Sequence, residues 1–257
     1  ILTSPDNPTG TTAPPALIHE LCGIVADHDV VIVSDEIYRD VIFDGGDDYV
    51  SPAELLPDRT VVATGLSKSL ALGGWRIGAA RFPADAAGRR LRANVVGIAS
   101  NVWSNLAGPM QAVAETAFAE PPDLVAHRDR STRLHGIVAR AVHAVFARHD
   151  LAARPPTGGF YVYPDLERRR PRLAARGVED GAGLERHLLD ELFVAVMGGQ
   201  HFGDDPVALR FRAATSLLYG DTEADRWTAL RADDPLAVPH IAAAIDQLEA
   251  VVARLAD

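Results

Sequence analysis

The sequence predicts an α/β fold: a mostly parallel sheet flanked by helices, followed by a smaller α+β domain at the C-terminal end. Three observations predict it. Helical periodicities alternate with short β-branched apolar runs over the first 120 residues, the pattern of βαβ units. A long helical pattern then opens at Pro121-Pro122-Asp123 and runs to His149 with no Gly or Pro inside it except Gly136, which suits a connector between domains. Beyond it, strands and helices occur in mixed order. The expected organisation is therefore a large domain over 1–120, a connecting helix over 121–150 and a small domain over 151–257.

Taken in order, Pro14 to His28 reads as a helix entered through prolines, and Val30 to Ser34 as a short buried strand. Thr60 to Thr64 and Ile77 to Phe82 read as further strands, and Asp85 to Ala99 and Asn105 to Ala119 as helices. After the connector, Gly158 to Tyr163 and Val207 to Ala214 read as strands, and Leu184 to Leu192 and His240 to Leu255 as helices.

Composition narrows the function classes. With 257 residues, 47% apolar and 23% charged, the chain reads as a soluble globular protein with a sizeable core. A formal net charge of −10 leaves no footprint for nucleic acid or an anionic membrane surface, so a small-molecule partner is expected. No window approaches the roughly 20 apolar residues of a membrane span, and no basic leader opens the chain; a cytoplasmic setting is expected. The chain opens at Ile1 and its methionines are Met110 and Met197, so further sequence upstream is expected. Cys22 reads as a small buried residue of the first helix, and the arginine run from Arg168 to Arg176 as a solvated surface. The nine histidines show no metal-ligand spacing, and no metal is expected.

Three stretches carry chemistry. The first is Thr64-Gly-Leu-Ser-Lys-Ser-Leu-Ala-Leu-Gly-Gly-Trp-Arg-Ile-Gly78, which places Lys68 in a turn just after a buried strand. Desolvation or a neighbouring cation lowers a lysine's pKa and frees its amine as an imine-forming nucleophile. Arg76, further along, offers the planar donor fork that phosphate prefers. A P-loop needs glycine at positions 62 and 67, where Val62 and Ser67 stand, so that reading fails. The second stretch, Val30-Val-Ile-Val-Ser-Asp-Glu-Ile-Tyr38, ends a strand in an acid. Ligands of open α/β sheets lie beyond the carboxyl ends of strands, where Asp35 can hold a pyridinium nitrogen; at ~4 Å and an effective dielectric of ~20 the attraction is roughly 4 kcal/mol. Taken alone, Asp35 serves equally as a helix cap. The third, Ser4-Pro-Asp-Asn-Pro-Thr-Gly10, is by itself a turn.

Together these stretches resemble a family. Ser-Pro-x-Asn-Pro-Thr-Gly, Ser-Asp-Glu-x-Tyr and Ser-Lys followed by Gly-Trp-Arg-x-Gly stand in the order found in fold-type I pyridoxal-phosphate enzymes, specifically the class I and II aminotransferases. The resemblance implies the PLP-transferase fold, pyridoxal 5'-phosphate as cofactor, and Lys68 as its Schiff-base residue. It further implies that Asn7 contacts the ring oxygen and the substrate side, Asp35 the pyridine nitrogen, Tyr38 the ring oxygen and Arg76 the phosphate. Pro156-Thr-Gly-Gly-Phe-Tyr161 resembles the start of the small domain's sheet, and Leu209-Arg-Phe211 the segment carrying the substrate-carboxylate arginine, here Arg210. Arg212 shares that strand face by the period of two.

Two departures stand out. Gly65 replaces a serine that serves as a phosphate ligand in many relatives, leaving Thr64, Ser67 or backbone amides for that work. Met197-Gly-Gly-Gln-His-Phe-Gly203 differs from the usual loop on the substrate side. The resemblance implies a homodimer that transaminates an L-amino acid and a 2-oxo acid. The same fold also serves lyases, cyclases and oxidases, and an aminotransferase-like effector domain of a transcription regulator is the rival from another class.

Overall fold

The structure, a computed structural model, describes residues 1–45 and 49–256. It divides into two compact units, one of Ile1–Asp6 and Thr12–Thr132, the other of Asn7–Thr11 and Arg133–Asp257.

The first unit is built on strands β1 (Leu2–Thr3), β2 (Ile32–Asp35), β3 (Thr60–Gly65) and β4 (Gly78–Arg81), hydrogen-bonded in that order. Its helices are α1 (Pro15–Ala26), α2 (Pro52–Leu55), α3 (Leu66–Ser69), α4 (Ala86–Val102) and α5 (Gly108–Phe118). α1 starts with proline in its first turn, where the missing N–H removes no helical hydrogen bond. β1 pairs with β2, and β2 with β3, in parallel. β4 pairs antiparallel with β3, the exception in the mostly parallel sheet that was expected. The β3–β4 connection holds only the four-residue α3 and one further short turn, too little for the helical crossover that a parallel return needs.

Ile18, Cys22 and Val25 of α1 pack on Ile32 of β2, so Cys22 is a buried core residue. The other side of β2 is open among the described residues: Val31 is 50% and Val33 37% exposed, where a fully buried strand was expected. α4 is open too, with Ile98 61% and Trp103, its C-cap, 64% exposed.

Helix α6 (Pro122–Arg148) occupies the stretch that reads as one long helix, and the division between the units falls inside it. The second unit continues with β5 (Tyr161–Val162), α7 (Arg170–Ala174), α8 (Gly181–Leu192), β6 (Met197–Gly198), β7 (Phe211–Ala214), α9 (Glu223–Arg231) and α10 (Pro239–Ala256). β7 is the middle strand of an antiparallel sheet, between β5 and β6. The four-residue spacing of Leu134, Val138 and Val142 puts one apolar face of α6 into the core, where Phe146 meets Phe211 of β7 edge-on at 6.0 Å. Both expected strands are shorter than their apolar runs, because the flanking residues turn away as bridges and loops.

His135 of α6 lies against the rings of Phe160 and Tyr219, with Nδ1 2.6 Å from the Tyr219 hydroxyl. Burial lowers its pKa to about 4, below the ~6.5 of an unfolded histidine. The folded state therefore keeps the ring neutral while the unfolded chain takes up a proton. Stability should be full above about pH 6.5 and fall by about 3 kcal/mol as the pH drops towards 4. Urea midpoints measured across that window should lose this slope in His135→Gln; an equal slope in both proteins would contradict the assignment.

Candidate active site

Parallel pairing with Asp35 opposite Ala63 sets the carboxyl ends of β2 and β3 side by side. Asp35 is the last residue of β2, partly buried, its Oδ1 accepting from the Ile37 N–H at 3.2 Å. The chain then turns twice, with Arg39 N–H donating to Glu36 O at 3.0 Å and Val41 N–H to Tyr38 O at 2.8 Å. These turns bury Tyr38 to 3% exposure.

Lys68 lies in α3, directly past the end of β3. Its Nζ is 5.8 Å from the centre of the Tyr38 ring, within reach of a cation–π contact. Because β4 runs back along β3 with Gly78 opposite Gly65, Arg76 returns to this same sheet edge. Arg76 adopts a left-handed conformation (φ 57°) and donates to Gly73 O at 2.9 Å. Its exposed side chain borders a cavity of about 810 Å3, shared with Thr64, Trp103 and Asn105. Asp35, Tyr38, Lys68 and Arg76 thus share one edge of one sheet: a carboxylate, a phenol, an amine and a guanidinium.

The structure also accounts for Gly65. A Cβ there would sit 2.8 Å from Ile77 O and 3.2 Å from Ile37 Cδ1, so the serine of many relatives has no room. Thr64 Oγ1 donates to Glu36 O at 3.3 Å; Ser67, half-buried, stands next to Lys68.

In the second unit, Asn7 Oδ1 accepts from Arg212 at 2.9 Å. The Arg212 guanidinium lies 4.6 Å from the Tyr161 ring centre and 5.0 Å from that of Phe202. Its buried Nε has no hydrogen-bond partner among the described residues. Arg210, the expected carboxylate residue, is engaged elsewhere: its Nε donates to Asp165 Oδ2 at 2.7 Å and a terminal nitrogen to Asp204 Oδ2 at 3.3 Å. Tyr163 completes that cluster, its hydroxyl donating to Asp204 at 2.8 Å. Two residues apart on one face, the arginines differ in their neighbours, which period-two reasoning does not distinguish. Among the described residues no group of three His, Cys, Asp or Glu is arranged to hold a metal ion, and no helix is long and apolar enough to cross a membrane.

The model of the aminotransferase class I and II family matches residues 1–217. The chain belongs to this family. It is 33% identical over 213 residues to the aspartate/prephenate aminotransferase of Cereibacter sphaeroides, covering 80% of this chain and 51% of that protein. It is 34% identical over 205 residues to the arginine–pyruvate transaminase of Pseudomonas aeruginosa, covering 79% of this chain and 48% of the other. The aromatic aminotransferase structure from Pyrococcus horikoshii shares the fold over 98% of this chain and 59% of its own, with a TM-score of 0.76 and 22% identity. The chain spans about half the length of the curated relatives it matches.

Gly10 closes the Asn7 turn in a left-handed conformation (φ 68°), and its O accepts from the N–H groups of Thr157 and Gly158 at 2.8 and 3.1 Å. A Cβ on Gly10 would lie 2.2 Å from Tyr161 O. Gly10→Ala should therefore cost at least about 2 kcal/mol, from backbone strain and steric overlap together, lowering the urea midpoint at unchanged slope. An unmoved midpoint would refute this close approach.

Proposed function

We propose that this chain is part of a pyridoxal-phosphate-dependent aminotransferase acting on an L-amino acid and a 2-oxo acid, with Lys68 carrying the cofactor. The observation that carries the reading is that Lys68 is the only lysine among the 257 residues, beside 24 arginines, and that it stands at the sheet edge with Asp35, Tyr38 and Arg76. The donor set of the first unit fits the group: Asp35 for a pyridinium nitrogen, Tyr38 for a ring oxygen, Arg76 and Ser67 for a phosphate. When bound, the cofactor supplies an electron sink for charge left on the substrate α-carbon.

The chain's own residues do the rest. Lys68 would hold the cofactor through its amine, and the same amine, when free, would be the base that takes the proton from the substrate α-carbon. Asp35 supplies the negative charge that keeps the ring an acceptor. For the substrate carboxylate the sequence points to Arg210, and the geometry favours Arg212 instead. Arg210 already faces two carboxylates, whereas Arg212 meets only neutral groups, Asn7 Oδ1, Met197 Sδ and two aromatic rings, with Nε unpartnered among the described residues. A cytoplasmic setting and pairing of two chains belong to the same proposal; the exposed apolar residues of α4 and Trp103 support the pairing.

Two variants of the full-length protein test the reading. Lys68→Ala should abolish both the visible absorbance of bound cofactor and turnover of every amino donor, and an unchanged spectrum would sink it. Arg212→Ala should raise the half-saturating amino acid concentration roughly a hundredfold, as expected for loss of charged hydrogen bonds, while leaving binding of an amine without a carboxylate unchanged. If Arg210→Ala shows that selective loss and Arg212→Ala does not, the carboxylate belongs to Arg210.

A further inference from the structure

Glu36 is fully buried (0% exposed) and takes no part in the chemistry above. By strand alternation its side chain shares the face of Ser34, opposite that of Asp35. Ser34 Oγ donates to its Oε1 at 3.0 Å, and Ser51 Oγ, from fifteen residues on, donates to the same oxygen at 2.5 Å. Arg39 donates to Oε2 at 3.3 Å. Ser51 is the N-cap of α2, where its hydroxyl also accepts from Ala53 N–H and its own N–H donates to Glu54. Burial, and then the negative charge of Glu36, push the nearby Tyr49 phenol upward.

The backbone of Glu36 is equally engaged. Its N–H donates to Ala63 O at 2.8 Å, and its carbonyl accepts from Arg39 N–H and Thr64 Oγ1. One residue therefore joins the end of β2, the neighbouring strand β3, the double turn and the start of α2. Asp35 precedes this node directly and Tyr38 lies inside the turns that it anchors. Burying a carboxylate seldom adds stability over an apolar residue of the same size, so stability alone is a poor account of it; fixing the direction of the groups beside it is a better one.

We propose that Glu36 is a positioning residue that sets the aim of Asp35 and Tyr38 at the sheet edge without touching cofactor or substrate. The role rests on the pyridoxal-phosphate reading above and adds a residue to it. Glu36→Gln keeps the side chain's shape but turns an acceptor oxygen towards its donors as an NH2 group, leaving a donor facing a donor. Ser51→Ala keeps the carboxylate and removes one of its donors.

The test uses the full-length protein loaded with pyridoxal phosphate and reads three quantities: the pH midpoint of the lysine-bound cofactor band, the cofactor dissociation constant and the thermal midpoint. Glu36→Gln should shift the pH midpoint and weaken cofactor binding roughly tenfold, as loss of a supporting contact does around other bound groups. Ser51→Ala should shift both readouts in the same direction by less. Variants that lose only thermal stability, with band midpoint and dissociation constant unmoved, overturn the positioning role. If Glu36→Gln does not fold, the same two readouts in Ser51→Ala decide. A wild-type protein without the band overturns the pyridoxal-phosphate reading and this role with it, whereas a normal wild-type band with unmoved variants overturns the role alone.

Discussion

The register between β2 and β3, with Asp35 opposite Ala63, is the constraint on which the placement of the first unit's chemistry depends. Side chains alternate along a strand, so a slip of one residue would turn Asp35 into the core and Glu36 out of it. Two features resist that slip. Ile32 packs on α1 from one face, and Glu36 is held on that buried side by Ser34, Ser51 and Arg39. Once the register is set, Lys68 follows from the end of β3 and Arg76 from the antiparallel return of β4. Groups from the ends of three strands thus come to one edge of the sheet.

The second unit gives two arginines of one strand different neighbours. Two arginines on one strand face would repel and compete for the same anion. Here Arg210 is matched by Asp165 and Asp204, while Arg212 is held by stacking and by the neutral amide of Asn7. Stacked between rings, a guanidinium keeps its charge and its in-plane donors while losing little side-chain freedom. The close approach of Gly10 to Tyr161 brings Asn7 within reach of it, which is why a turn composition ordinary in isolation matters in this chain.

Much of this was legible in the sequence. The helix at Pro15–Ala26, the long helix at Pro122–Arg148 and the final helix at Pro239–Ala256 follow from periodicity and proline placement. The strand-then-acid and strand-then-lysine stretches placed Asp35 and Lys68 at strand ends. What escaped depends on contacts distant in sequence. The reversal of β4 comes from a short connection, the open face of β2 from an absence of covering residues among those described, and the difference between Arg210 and Arg212 from the carboxylates at 165 and 204. Glu36 stands inside the strand-end motif, and its burial comes from Ser34, Ser51 and Arg39 gathering around it in the fold. One signal was there to be read throughout: the chain's only lysine is Lys68.

Lys68 gives the central claim its most direct measurement. The full-length protein would be incubated with pyridoxal phosphate, reduced with borohydride to fix the carbon–nitrogen bond, digested, and analysed by mass spectrometry. The account predicts one pyridoxyl addition, on the peptide containing Lys68. An absent addition, or one on another amine with the Lys68 peptide unmodified, would contradict it.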